Sequence, residues 1–366
     1  MPPHLPARTI LRRLALAALL LPASLHGQTV QGRVVEVETG APVPGAVVVL
    51  QDASGRRVAA VLADAAGRYR VSAPGAGTYW LRAERVGFAN PAVVTVTLAA
   101  GERVERELRS ESRRVVLEAV VAEGEPRRCA GRPQEGAVAA TVWDEARKAL
   151  AAAALAQASG EYRFLVEWRI RDTDLDGRTV MRDETLQVVA RGRPFAAATV
   201  ADLVTGGYVV LEPRRVEMMG VDATAILSDL FVQHHCFGLR RPGREQQGLV
   251  GLEFVPLDGR VEPDVRGVLW LDRATAELRY VEYTYTGLGF RGPVERLGGR
   301  IDFQRVPGGA WIIPSWTVRA PLLQAHNERE LTLRSMRRFH MYGISEQSGR
   351  VLEVRTGDGA TVPLGR

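Results

Sequence analysis

A chain of 366 residues, 46% hydrophobic and 25% charged, is long enough for two domains and apolar enough for a sizeable core. Two cysteines are too few for a disulfide-dense scaffold. The formal net charge of +6 comes almost wholly from arginine, with Lys148 the single lysine beside 47 arginines. These arginines interleave with acids and read as a solvated mixed-charge surface, not the basic patch of a nucleic-acid binder.

Arg8, Arg12 and Arg13 precede an apolar run, Leu14 to Leu21, and then Pro22, Ala23 and Ser24. A basic start, a short apolar core and a small-residue exit predict a secretory signal peptide over residues 1–27, cleaved near Gly27 by the general export route. The apolar run is too short to span a bilayer, and no later stretch is long and uncharged enough. Removing the three arginines leaves a charge of about +3. The expectation is a periplasmic or secreted protein of the cell envelope without a transmembrane segment.

From residue 30 to residue 122, short strands alternate with turns. Val34, Val35 and Val37 lead into Thr39-Gly40, and Pro42, Pro44 and Gly45 turn the chain into Ala46–Leu50. Asp52-Ala-Ser-Gly55 and Asp64-Ala-Ala-Gly67 are tight turns, with Asp bonding its own backbone and Gly free to take positive φ. Tyr69, Val71, Tyr79 and Leu81 alternate with polar residues. About seven strands at this spacing predict an antiparallel β-sandwich. Val47, Val49, Tyr69, Val71, Tyr79 and Leu81 are its expected core, and residues 28–122 are expected to fold alone.

"VQGRVVEVETGAPVPGAVVVL" followed by "DAAGRYRVSAPGAGTYWLRAERVGF" resembles the carboxypeptidase regulatory-like domain. The resemblance rests on Gly32 and Val34; Thr39, Gly40, Pro42, Gly45 and Ala46; Asp64, Gly67 and Tyr69; Gly77, Tyr79 and Leu81; and Gly87 with Phe88. It implies a transthyretin-like or starch-binding-like sandwich, an accessory module that braces, docks or binds and does not catalyse. Carbohydrate binding, which that fold family suggests, would rest on Trp80, the only tryptophan here. The module also precedes the plug of TonB-dependent receptors, and Val116–Gly124 looks like the strand that follows it there. The remaining chain is far too short for a receptor barrel.

Residues 123–140 read as a polar linker, and residues 141–366 as an α+β domain with a large antiparallel sheet and one or two helices. Thr141 is the expected N-cap of an amphipathic helix, with Asp144 in capping-box position and Trp143, Ala146, Leu150 and Ala154 on one face. Gly160 is its expected C-cap. A second helix is expected from Asp222, burying Leu227, Leu230 and Phe231. Strands are expected at Tyr162–Ile170, Val180–Val189, Gly248–Pro256, Val265–Leu271, Leu278–Thr286, Gly299–Phe303, Trp311–Val318 and Leu331–His340. The segment from Arg266 onwards is weakly similar to the half-barrel sheets of periplasmic lipoprotein carriers, which would leave an apolar concavity; a closed core is the alternative.

Candidate chemistry is sparse. Cys129 and Cys236, an even count in an exported chain, are expected to form a disulfide. His234 and His235 beside Cys236 do not make a metal site, because adjacent side chains rarely converge on one ion. With His326 and His340 they are the only histidines after the signal peptide, and none has zinc-peptidase spacing. Gly287-Leu-Gly289-Phe-Arg-Gly292 spells a dinucleotide fingerprint, but Pro293 stands where a helix must begin. Asp172, Asp174 and Asp176 with Asp183 have the oxygen spacing of a calcium loop, but strands flank them; a polar hairpin tip explains the pattern equally well. No cofactor and no catalytic group is expected. The leading functional expectation is a non-enzymatic binding or scaffolding protein whose partner is a glycan or protein of the envelope. Carriage of an apolar ligand comes second, and an uncharacterised hydrolase third.

Overall fold

The computed structural model describes residues 27–89, 92–112, 117, 137–191, 197–205, 207–212, 215–257, 259, 262–325 and 339–364. The expected signal segment before Gly27, most of the expected linker, Cys129 and His326 lie outside the described residues, as does Val116–Gly124 apart from Leu117.

Eight strands build the first region: β1 (Gln28–Glu36), β2 (Val47–Gln51), β3 (Arg57–Leu62), β4 (Arg68–Ala73), β5 (Gly77–Glu84), β6 (Val94–Leu98), β7 (Arg103–Glu105) and β8 (Leu108–Ser110). They form a sandwich. One sheet runs β3-β2-β5-β6; the other centres on β1, with β4 antiparallel and β7 and β8 parallel to it. Val30, Val34, Val48, Leu50, Tyr69, Val71, Tyr79 and Leu81 fill the space between the sheets. Gly67 holds φ +73° in its turn, and a Cβ there would lie 2.6 Å from the Val34 carbonyl oxygen.

The expected core needs one correction. Val47 and Val49 are buried, but they point away from the sandwich interior and join the larger core of the second region. Successive strand residues face opposite sides, so Val48 and Leu50 fill the sandwich and their neighbours need another cover. The uninterrupted Ala46–Leu50 run is the signature of a strand buried on both faces. An excised module would present Val47 and Val49 to water, which weighs against its folding alone.

The cover is α1 (Ala137–Ser159). It starts four residues before the expected Thr141 cap, because Ala137–Ala140 extends the helix; Thr141 is therefore interior. It ends where expected, with Gly160 at φ +66°. The helix is not amphipathic in the expected sense. Val142, Trp143, Ala146, Ala149, Leu150, Ala151, Ala152, Ala153 and Ala156 are all buried, as suits an alanine-rich helix apolar nearly all round.

The second region continues with β9 (Tyr162–Asp174), β10 (Val180–Arg191), α2 (Val200–Thr205), β11 (Val209–Glu212), β12 (Arg215–Met218), α3 (Ala223–Ile226), α4 (Asp229–His234) and β13 (His235–Arg240). Then come β14 (Leu249–Pro256), β15 (Asp264–Asp272), β16 (Leu278–Thr286), β17 (Gly298–Asp302), β18 (Gln304–Arg305), β19 (Trp311–Ile312), β20 (Ser315–Ala325), β21 (Phe339–Thr356) and β22 (Thr361–Val362). An open ten-stranded sheet runs β10-β9-β21-β20-β17-β16-β15-β14-β13, with β22 beside β21. The expected second helix is two short ones. Asp222 caps α3 as predicted, and Ser228 caps α4 by accepting from the Phe231 N–H at 3.1 Å. The expected strand at Trp311–Val318 is interrupted at Ile313–Pro314, since proline has no N–H for a ladder. Of the strand expected at Leu331–His340, residues 331–338 lie outside the described residues; β21 runs from Phe339 for eighteen residues.

The inner face of the sheet packs on α1. Phe164, Val166, Leu252, Phe254, Leu269, Val281 and Ile301 share one core with it, so the concavity expected for an apolar ligand holds this helix instead. The sandwich covers the helix from the other side, where Val47 and Val49 meet it with Ala60 and Leu62 of β3. A second contact joins Gly45 and Gly309: a Cβ on Gly45 would lie 2.1 Å from the Gly309 carbonyl oxygen.

Charge seals this junction. Lys148, 2% exposed, donates to Glu145 Oε1 at 2.7 Å and to the Phe88 carbonyl at 3.0 Å, and lies 3.1 Å from Asp144 Oδ2. Glu145 Oε2 accepts from the Gly87 N–H at 2.8 Å, and Arg147 bridges Glu84 at 2.8 Å and Asp144 at 2.9 Å. Burial raises the Glu145 carboxyl above its ordinary value. Burial opposes ionisation of Asp144 too, but Lys148 and Arg147 outweigh it and hold that carboxyl below its ordinary value.

Candidate functional site

Strand alternation sends Arg266, Val268 and Trp270 of β15, Tyr280, Glu282 and Thr284 of β16, Arg300 of β17 and Arg319 of β20 to the outer sheet face. All of these but Tyr280 line an open trough of about 920 Å³, flanked by the loop Arg241–Gln246 and the turn Val294–Arg296. Gly267, Gly298 and Gly299 contribute no side chains to its floor. A Cβ on Gly298, at φ +145°, would lie 2.0 Å from the Tyr283 carbonyl oxygen. Trp270 packs with Tyr280 and Val268 and donates from Nε1 to Glu282 Oε1 at 2.7 Å. The Arg300 guanidinium lies 3.6 Å from the centre of the Tyr280 ring.

Six arginines and three glutamates line the trough. Arg240 pairs with Glu253 at 3.2 Å, Arg300 with Asp302 at 2.8 Å and Arg319 with Glu346 at 2.8 Å. Three guanidiniums have no carboxylate partner among the described residues. Arg266 donates only to Thr284 Oγ1, at 3.3 Å, Arg296 donates to the Leu175 carbonyl, and Arg241 is exposed. A smaller hollow of about 390 Å³ continues the trough through Arg296 and Arg319 to Arg171. Register places Arg266, Thr284, Gly298, Arg319, Glu346, Arg171 and Asp183 in one row across seven strands.

The residues singled out from sequence lie elsewhere. Asp174 accepts from the backbone N–H groups of Arg178 and Thr179 at 2.9 and 3.1 Å, in the tip of the β9–β10 hairpin. Asp183 receives two bonds from Arg169. Asp172 is on β9 and Asp176 in the turn, and among the described residues no three His, Cys, Asp or Glu side chains converge on a metal position. His235 is buried: Nδ1 lies 2.9 Å from the Phe231 carbonyl, Nε2 2.9 Å from the Val265 carbonyl and 3.3 Å from Asp264 Oδ1, and the ring stacks on Phe231. His234 Nδ1 contacts the Leu230 carbonyl at 2.8 Å, and His340 is exposed on β21. These contacts hold α4 against β13 and β15. Gly287–Gly292 forms part of the β16–β17 connection, and Trp80 is 37% exposed on β5. Cys236, at the start of β13, is buried. No described helix is long and apolar enough to cross a membrane.

The arginine trough had only a weak sequence signal, the outward register of Arg266, Arg300 and Arg319. Which arginines lack a carboxylate depends on contacts between strands distant in sequence.

Residues 29–109 match the family model of the carboxypeptidase regulatory-like domain. No curated protein matches the chain. Among solved structures, the backbone protein of the group B streptococcus pilus 2b shares 16% identity over 24% of this chain and 41% of that one, with a TM-score of 0.21. The minor pilin of Streptococcus agalactiae shares 18% over 29% of this chain and 48% of that one, TM-score 0.21. A DUF3823 family protein from Bacteroides ovatus shares 10% over 71% and 95%, TM-score 0.21. The chain thus spans less than half the length of the two pilins, and scores this low do not bear on function. The matched segment coincides with strands β1 to β8, so residues 29–109 are a carboxypeptidase regulatory-like domain at the front of a longer chain.

Proposed function

We propose that this protein is an exported, non-catalytic binding protein of the cell envelope, and that the trough on the outer sheet face takes an anionic glycan. The observation that carries this reading is the trio Arg241, Arg266 and Arg296, guanidiniums without carboxylate partners among the described residues, around an open, glycine-floored trough. Guanidinium groups match carboxylate and sulfate geometry through paired N–H donors, and the trough has room for several sugar rings. The regulatory-like domain acts here as a brace, since its β2 face is taken up by α1. Trp80 is too isolated to form a stacking platform.

Titration calorimetry with polygalacturonate, dextran sulfate and neutral dextran tests this reading. Binding of an anionic polymer should weaken with salt and fall at least about tenfold in Arg241→Ser/Arg266→Ser/Arg296→Ser. Equal binding of neutral dextran, or an unaffected triple variant, would sink the proposal.

The Cys129–Cys236 bond belongs to the same proposal. Cys236 is buried and is not a free thiol. A bond to Cys129 would close a loop of more than a hundred residues, worth about 4–5 kcal/mol in the chain-entropy model. Non-reducing peptide mapping should recover the two cysteines in one linked fragment; recovery of two free thiols would end the claim.

A further inference from the structure

The ten-stranded sheet ends in two unlike edges. β13 has only six residues and follows directly on α4. β10 has twelve, contains neither proline nor lysine, and among the described residues pairs on one side only, with β9. Val180, Met181, Leu186 and Val189 along it are 43%, 48%, 43% and 70% exposed. Natural sheets usually blunt an edge with proline, lysine or shortness, because an open ladder recruits another strand. On β10 charge sits in the first part, where Arg182 pairs with Glu184 at 2.5 Å, and at the last residue, Arg191. Thr185 to Ala190 carries no charge at all.

We infer that β10 is the interface between two copies of this chain, paired antiparallel about a two-fold axis through Gln187. A two-fold axis normal to the sheet keeps each face on its own side, so facing residues share parity and the axis passes through a residue. With the axis at Gln187, Asp183 faces Arg191 of the second copy, Thr185 faces Val189 and Leu186 faces Val188, each pair occurring twice. An axis at Asp183 or Glu184 sets a like charge against itself. Axes at Thr185, Leu186 or Val188 bring no opposite charges together. The Gln187 register alone among these brings opposite charges face to face, Asp183 with Arg191 at each end, and sets no like charge against itself; on the other face Leu186 meets Val188 and Glu184 meets Ala190. The ladder runs nine residues, about 30 Å. It is self-complementary, so assembly closes at two copies.

Light scattering of the full mature chain across a concentration series tests this directly. A dimer is expected, and Val189→Lys or Arg191→Asp should raise its dissociation midpoint at least about tenfold. Gln187→Cys should give a covalent dimer with a short thiol cross-linker, whereas Thr185→Cys, which faces Val189, should not. A monomer at every concentration overturns the inference, including a monomer that captures an added extended peptide. So does a dimer that ignores Val189→Lys and resists cross-linking at Gln187→Cys.

Discussion

In β2 every residue from Val47 to Leu50 is buried, whereas the first eight residues of β10 are exposed, although each strand carries four branched aliphatic side chains. The difference lies in their neighbours. β2 is inside a sheet and has the sandwich core on one face and α1 on the other. β10 is at the end of a sheet, beyond the reach of that helix along most of its length. Strand composition therefore records a liking for the pleated surface, and the covering elements decide whether that surface is dry.

The sharpest way to break the comparison is to remove what fastens α1 to the sandwich. Lys148→Met leaves the buried Glu145 without its cation and should cost about 3–5 kcal/mol in denaturant unfolding of the full chain. Adding Glu145→Gln should restore part of that loss; a single variant as stable as the parent would show that the junction does not depend on the charge cluster.

Gly67→Val comes next, at about 2–3 kcal/mol, since it forces a branched residue to positive φ against the Val34 carbonyl. Val49→Ala should cost about 2 kcal/mol, as much as Val48→Ala, because both side chains are buried although they point in opposite directions. If Val49→Ala were neutral while Val48→Ala was costly, α1 would not be sealing β2.

Acid should act more gently. Asp144 titrates below its ordinary value, so its contribution is present above about pH 4, the unfolded value, and is lost as pH falls through the folded one. Glu145 titrates above its ordinary value, so protonating it in the fold works in the opposite direction. As pH falls through that raised value to about pH 4, Glu145 therefore adds stability, and Glu145→Gln should remove this gain; thermal melts with unchanged slope over that window would contradict this. The smallest effect is expected for Arg68→Gln, below about 0.5 kcal/mol, because its pair with Asp64 is exposed.

The sequence by itself determined the elements whose signals are local. Turn glycines at Gly45, Gly55, Gly67 and Gly77 and the alternation around Tyr69 and Tyr79 specify the sandwich, because positive φ and a period of two are properties of adjacent residues. Gly160 and Asp222 mark helix ends for the same reason. Tertiary structure alone decided what those elements face. The Val47–Leu50 run carried a trace of its double burial, but nothing local says that α1 supplies the second cover. β21 reads as polar around Ser345–Arg350 and is nevertheless a strand, because β20 and β9 satisfy its backbone on both sides. The trough lies furthest from legibility. Whether Arg266 has a carboxylate partner depends on residues that the sheet register, not the chain, places beside it.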